Sequence, residues 1–174
     1  LTTLKNYDNY TFTHMVNVAS LSMAMARSLN LEGPMLREFG YAALMHDIGK
    51  VQTPLEVLNK PDKLTDEEFA IMKRHVVDGA HILRRTPEMP ILAPVVAFEH
   101  HLRLDGSGYP AGARRPALNL GTMMCSIADV YDAEELASFS PKIRFLKEVD
   151  QKTGYRTKQM LVAPILNEDG ELLG

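Results

Sequence analysis

The sequence predicts a mainly α-helical domain over residues 1–133, followed by a short α+β segment over 134–174 that contains a β-hairpin. Three observations predict it. Apolar residues recur at three- and four-residue spacing in successive segments, and Gly and Pro separate those segments. Thr65-Asp-Glu-Glu68 has the form of a capping box, with Thr65 as N-cap and Glu68 at N3. Strand character is confined to the end: Gln159 to Leu166 is an apolar run with Val and Ile, Asn167-Glu-Asp-Gly170 is a turn signal, and Glu171-Leu-Leu restarts the pattern. Such a hairpin cannot stand alone in water, and the sheet it needs is not encoded in these residues.

The elements follow in order. From about Tyr10 to Asn30, His14, Val18, Leu21 and Met25 form one helical stripe. Gly33-Pro34 breaks it. A second helix is predicted over Pro34–Ile48, with Leu36, Phe39, Tyr41, Ala43 and Leu44 as apolar surface and Gly49 as its end. Residues 51–64 hold Pro54 and Pro61 and read as a loop with short turns at most. The helix after Thr65 carries Phe69, Met72, Val76, Gly79 and Leu83 as one inner stripe. Beyond Pro87 and Pro90, Ile91 to His101 reads as helix. Asp105-Gly-Ser-Gly-Tyr-Pro110 is a tight Gly-rich loop. Asn119 to Ala133 is helical again, and the character of the chain changes near residue 134.

Composition narrows the function. At 174 residues, 45% hydrophobic and 24% charged, the chain can bury one sizeable core and is not disordered. A net charge of −3 excludes a nucleic-acid sleeve, so no DNA partner is expected. The single cysteine, Cys125, excludes a disulfide scaffold and a Cys-based zinc site, and it fits the reducing cytoplasm. The longest uncharged stretch, Asn9 to Ala26, contains seven polar residues and reads as a soluble amphipathic helix rather than a membrane span. The start has no signal-peptide pattern and no Met, so upstream sequence is expected to be missing.

Six histidines and no tryptophan is the one oddity. His46 and Asp47 are adjacent, as are His100 and His101; His14 and His75 lie on inner helix faces, and Asp129 falls in the apolar run from Cys125 to Tyr131. A lone inward His is more often a satisfied core residue than a ligand. Seven such groups on five helices strain that reading, because burying them without a shared partner costs on the order of several kcal/mol. A metal cluster removes the difficulty. Five imidazoles and two carboxylates without thiolate suit iron, manganese, nickel or zinc. Seven ligands exceed one tetrahedral zinc and suit two metals roughly 3.5–4 Å apart with a bridging carboxylate and a bridging hydroxide, for which Asp47 is the natural centre. The expected chemistry is phosphoester hydrolysis. His81, six residues from His75, is expected at the surface.

At these residues the chain resembles the HD-GYP domain. His46-Asp-Ile-Gly-Lys50 and His100-His-Leu-Arg-Leu-Asp-Gly-Ser-Gly-Tyr-Pro110 look like its two signatures, and supporting stretches surround His14, Leu58–Pro61, Leu64–Glu68, His75 and Ile127–Ala133. The likeness covers residues 8–133 in unbroken order. It implies an HD-type helical bundle that hydrolyses the bacterial second messenger cyclic di-GMP to pGpG and then GMP, with two divalent metals, Fe or Mn foremost. By the resemblance, His14, His46, Asp47, His75, His100, His101 and Asp129 are metal ligands. Lys50 would sit by the scissile phosphate, and Gly108 and Tyr109 against the substrate. Arg103 would contact substrate or, with Asp105, hold the loop. Without the resemblance, the favoured reading of Lys50 is a charge complementing a helix C-terminus, and the loop glycines read as turn chemistry. Arg114-Arg115 reads as a solvated pair.

Departures from the family pattern matter. Leu102 stands where the family usually has Glu. Tyr10 stands where members with a third metal carry Glu, which predicts two metals here. Where members follow Asp132-Ala133 with a basic segment that binds substrate phosphates, this chain has Glu134-Glu-Leu-Ala-Ser-Phe-Ser. That loss keeps open a receptor that binds cyclic di-GMP without turnover, or a phosphodiesterase for another cyclic dinucleotide. From about Lys147 the tail resembles part of a GAF domain, expected not to be contiguous with residues 1–133. A homodimer and signalling partner proteins are the interactions that the resemblance implies.

Overall fold

A computed structural model describes residues 8–113 and 118–139, and of 134–139 the backbone only. Among these residues the secondary structure is helical. α1 spans Asn9–Ser28, and Asp8 caps it by accepting from the Thr11 backbone N–H at 2.8 Å. α2 spans Gly33–Leu44 with Pro34 in its first turn, where a missing N–H costs nothing. A 3₁₀ helix, Ile48–Gln52, and a one-turn α3, Leu55–Leu58, follow. α4 spans Asp66–Lys73, α5 His75–Arg85, α6 Leu92–Glu99 and α7 Leu120–Phe139. The chain divides into units Leu1–Ala133 and Glu134–Gly174. The predicted hairpin, the GAF-like stretch and Arg114-Arg115 lie outside the described residues.

The core gathers where α1, α2, α5, α6 and α7 meet. Val18, Phe39, Leu83, Val96, Met124 and Cys125 fill it. Ala19, Ala26, Ala42, Ala43, Ala93, Ala97 and Ala128 line the helix contacts, and their small side chains let the backbones approach closely. No helix among the described residues is long and apolar enough to cross a membrane, and α1 buries Thr11, His14 and Ser22 within the protein.

Three boundaries differ from the sequence expectation. α2 stops at Leu44 rather than Ile48, and Gly49 does not end it but lies inside the 3₁₀ helix. Consecutive residues on an α-helix point about 100° apart, so His46 and Asp47 can both face one cavity only if the helix stops before them. Gly49 is required by contact instead: a Cβ there would overlap the His75 carbonyl oxygen and lie 2.6 Å from Gly79 N.

The helix after Thr65 is two helices. The capping box is present, with both Thr65 and Glu68 bonded reciprocally, but the helix it starts ends at Lys73. The Met72 carbonyl, which a continuous helix would spend on Val76, accepts from His75 Nδ1 at 2.7 Å. α4 buries no residue, so Phe69 is 44% exposed and leaves the predicted core stripe. Finally, α7 continues six residues beyond Ala133, through Glu134, Glu135, Leu136 and Ala137, which are good helix formers.

Candidate metal centre

The first four metal-ligand candidates come from three places. α1 contributes His14, the turn after α2 contributes His46 and Asp47, and α5 contributes His75 at its first position. The end of α6 gives His100 and His101 by the device used at α2: the helix stops at Glu99, so two adjacent side chains can face inward. α7 gives Asp129. Six of the seven are buried, and His101 is partly exposed.

Their ligand atoms fall into two groups, each within 4.8 Å. One is Asp47, His75, His100 and His101; the other is His14, His46 and Asp129. Asp47 joins them. Its Oδ1 lies 3.2 Å from His75 Nε2 and 3.6 Å from His100 Nε2, while its Oδ2 lies 3.5 Å from His46 Nε2 and 3.8 Å from His14 Nε2. Asp129 Oδ1 lies 3.0 Å from His14 Nε2 and 3.8 Å from His46 Nε2, and its Oδ2 4.0 Å from His101 Nδ1. His81 is exposed and takes no part.

The other face of each imidazole decides what the inner face can do. His46 Nδ1 donates to Ala43 O at 2.8 Å, His75 Nδ1 to Met72 O at 2.7 Å, and His100 Nδ1 to Ala97 O at 3.0 Å. A carbonyl oxygen only accepts, so each Nδ1 carries the proton and each Nε2 presents a lone pair inward. His75 Nε2 and His100 Nε2 face one another at 3.4 Å. His46 Nε2 and Asp47 Oδ1 are buried without a hydrogen-bond partner. Facing lone pairs beside an orphaned carboxylate oxygen repel unless a cation sits between them. The donor set therefore fits divalent metal, and its N/O composition suits a first-row ion.

Charges in the cluster are strongly displaced. Burial disfavours the charged form of Asp47, but the Lys50 ammonium and the surrounding imidazoles hold its carboxyl well below the usual range. Burial opposes ionisation of Asp129 too, and its hydrogen bond with His14 brings it down. Burial works against His14 as an imidazolium, yet hydrogen bonds with Asp129 and Asp132 outweigh it and raise its pKa to about 9. His101 is pushed down to about 2 by burial and by His100. Lys50 reaches Asp47 Oδ2 at 2.5 Å; burial lowers its pKa, but the Asp47 charge prevails and raises it.

The Gly-rich loop closes one side. Tyr109 lies on His101, ring centroids 4.5 Å apart and 31° inclined, and its backbone N–H donates to His101 O at 3.2 Å. The Tyr109–Pro110 peptide is cis. Gly108 has no room for a side chain, since a Cβ would overlap His101 O and lie 2.7 Å from Arg103 N. Arg103 donates to the carbonyls of His100 at 3.4 Å and Leu102 at 3.3 Å, and Asp105 accepts from the Ser107 N–H and hydroxyl. Leu102 is buried.

Some positioning residues escaped the sequence reading. Asp132 accepts from His14 Nδ1 at 2.6 Å; it lies three residues after Asp129, on the same face of α7, and that spacing was its signal. Ser126 donates to His100 O at 2.6 Å. Asn119 caps α7 through Thr122 N and, with Thr122, donates to Glu99 Oε2 at 3.2 Å, fastening α7 to the end of α6. Glu99 and Asn119 gave no such signal, because their bond is purely tertiary.

The chain is similar to known proteins. A family model described as HD domain matches residues 3–151. The cyclic di-GMP phosphodiesterase PA4108 of Pseudomonas aeruginosa is 45% identical over 133 residues, 76% of this chain and 32% of the relative. The 3'3'-cGAMP-specific phosphodiesterase 1 of Vibrio cholerae is 39% identical over 71% of this chain and 28% of the relative. A cyclic di-GMP phosphodiesterase of Thermotoga maritima is 39% identical over 72% of this chain and 34% of the relative. The chain thus spans about a third of the curated relatives it matches. Among solved structures, Bd1817, a HDG"Y"P protein from Bdellovibrio bacteriovorus, aligns with TM-score 0.61 and 26% identity over 82% of this chain and 46% of that one. With its ligand pattern on five elements of a helical bundle and the GYP loop beside it, the chain belongs to the HD domain family and carries the HD-GYP signatures.

Proposed function

We propose that the protein is a metal-dependent phosphodiesterase that hydrolyses cyclic di-GMP to pGpG and GMP. One observation carries the reading: seven N/O donors converge in two groups joined by Asp47, with imidazole lone pairs aimed at one another. Two divalent ions, Fe or Mn foremost and Ni or Zn also compatible with the donors, would supply an activated water and Lewis-acid stabilisation of phosphoryl charge. His14, His46 and Asp129 would hold one and His75, His100 and His101 the other, with Asp47 between them.

The chain's own residues supply the rest. Lys50 brings a fixed positive charge to the mouth of the cluster, where phosphate charge develops. Tyr109 presents a ring beside the centre, and Gly108 keeps the loop backbone close. Arg103, exposed at the loop, would meet the anionic ligand. The single cysteine, Cys125, is buried and fits a reducing, cytoplasmic setting.

Likeness to the Vibrio 3'3'-cGAMP phosphodiesterase favours a second reading, with that dinucleotide as substrate. Glu134-Glu135, in place of a basic segment, favours a third, a nucleotide receptor without turnover. Purified protein loaded with Mn²⁺ or anaerobically with Fe²⁺ tests all three. Turnover of cyclic di-GMP supports the proposal, preferential turnover of 3'3'-cGAMP selects the second, and binding without hydrolysis selects the third.

A further inference from the structure

Beside the metal centre lies a cavity of about 540 Å³, within the usual range for small-ligand sites. His101, Gly108 and Tyr109 form one wall, and Phe69 and Lys73 of α4 form the other. Phe69 is not accounted for by the core. It sits on a helix that buries nothing, is 44% exposed, and meets Tyr109 edge-on at 6.2 Å between centroids. Lys73 Nζ stands 4.8 Å over the Phe69 ring. An exposed aromatic facing a second aromatic, with a cation above it, is the arrangement that receives a base and its phosphate in single-stranded nucleic acid sites.

We propose, resting on the phosphodiesterase reading, that α4 carries a purine subsite. In it Phe69, together with Tyr109, packs against one base of the dinucleotide, and Lys73 pairs with the phosphate that is not at the metals. The subsite would place on α4 the cation that residues 134–140 do not provide, since that stretch has none. The capping box at Thr65 and the Lys60–Glu68 pair at 2.6 Å hold the start of α4, so the ring is carried by a fixed element.

The test uses metal-loaded protein and a reporter substrate, bis(p-nitrophenyl) phosphate, inhibited competitively by inorganic phosphate or by GMP. Phosphate reads the metal centre alone, and GMP reads the centre plus a base. In Phe69→Ala the ratio of the GMP to the phosphate inhibition constant rises about tenfold, as expected for loss of one base–aromatic contact. Phe69→Tyr restores it. Lys73→Ala weakens cyclic di-GMP through KM more than kcat. An unchanged ratio in Phe69→Ala, or GMP binding no tighter than phosphate to the wild type, overturns the subsite. Because the ratio is read without cyclic di-GMP turnover, a wild type inert toward cyclic di-GMP sinks the phosphodiesterase reading and leaves the subsite judged on its own measurement.

Discussion

Lys50 touches the cluster at Asp47 and Asp132 touches it at His14, and their substitution separates two kinds of contribution. Lys50 meets only a carboxylate oxygen, so it holds no metal. Lys50→Ala is expected to lower kcat for cyclic di-GMP by roughly 10²–10³-fold while metal content stays full. A parallel loss of metal would show that its task is to hold Asp47. Asp132 instead orients His14 from outside. Asp132→Asn keeps the shape but weakens the acceptor, and metal affinity should fall roughly 10- to 100-fold, measured by competition with a chelator. Asp47→Ala removes the carboxylate whose two oxygens face the two groups, so metal and activity should be lost together; a metal-replete Asp47→Ala ends the bridging assignment.

At the scale of elements, the site depends on where helices stop. α2 ends two residues and α6 one residue before a pair of adjacent ligands, and α4 and α5 are separated at Arg74 so that His75 can begin a helix. Gly49 is where the 3₁₀ helix crosses α5 at backbone contact. Gly49→Ala should cost about 3 kcal/mol, lowering Tm by roughly 10 °C and loosening metal at His75. Thr65→Ala should cost only about 1 kcal/mol and leave metal content intact, since it removes a cap far from the cluster. Among the described residues the sequence pattern located the longer helices, read the one-turn α3 as loop, and ran α4 and α5 together at Arg74. Periodicity continues through a one-residue break, and the bond from His75 Nδ1 to Met72 O that makes the break is not a pattern in the sequence.

For the molecule as a whole, the metal-free cluster sets a pH window. His14, raised to about 9 from 6.5, contributes stability that is complete below about pH 6.5 and is lost as pH rises toward 9. Asp47 and Asp129 are lowered, so their contribution is present above about pH 4 and lost on acidification. His101, lowered to about 2, costs stability as pH falls below 6.5, where the unfolded chain takes up a proton and the folded one does not. Metal-free protein should therefore be most stable near pH 6–7 in thermal melts at varied pH. Metal binding requires His14 to lose its proton, so uptake near pH 7 should release a proton and strengthen toward pH 9. Calorimetry in buffers of different ionisation enthalpy reads it directly. Saturating metal should raise Tm, each ion adding about 2.7 kcal/mol of stability at a hundredfold excess over its Kd.

By itself the sequence determined the helical class, the capping box at Thr65, the tight loop at Asp105–Pro110 and the seven donors, because each rests on local spacing or on residue chemistry that stands out in an apolar stretch. Tertiary structure alone decided that Asp47 faces both donor groups, that Asp132 and Ser126 brace His14 and His100, and that Phe69 looks toward Tyr109 rather than the core. The physical reason is range. Capping and periodicity act over three or four residues, whereas the bond from His14 to Asp132 joins residues 118 apart, and only the packed bundle brings them within 2.6 Å.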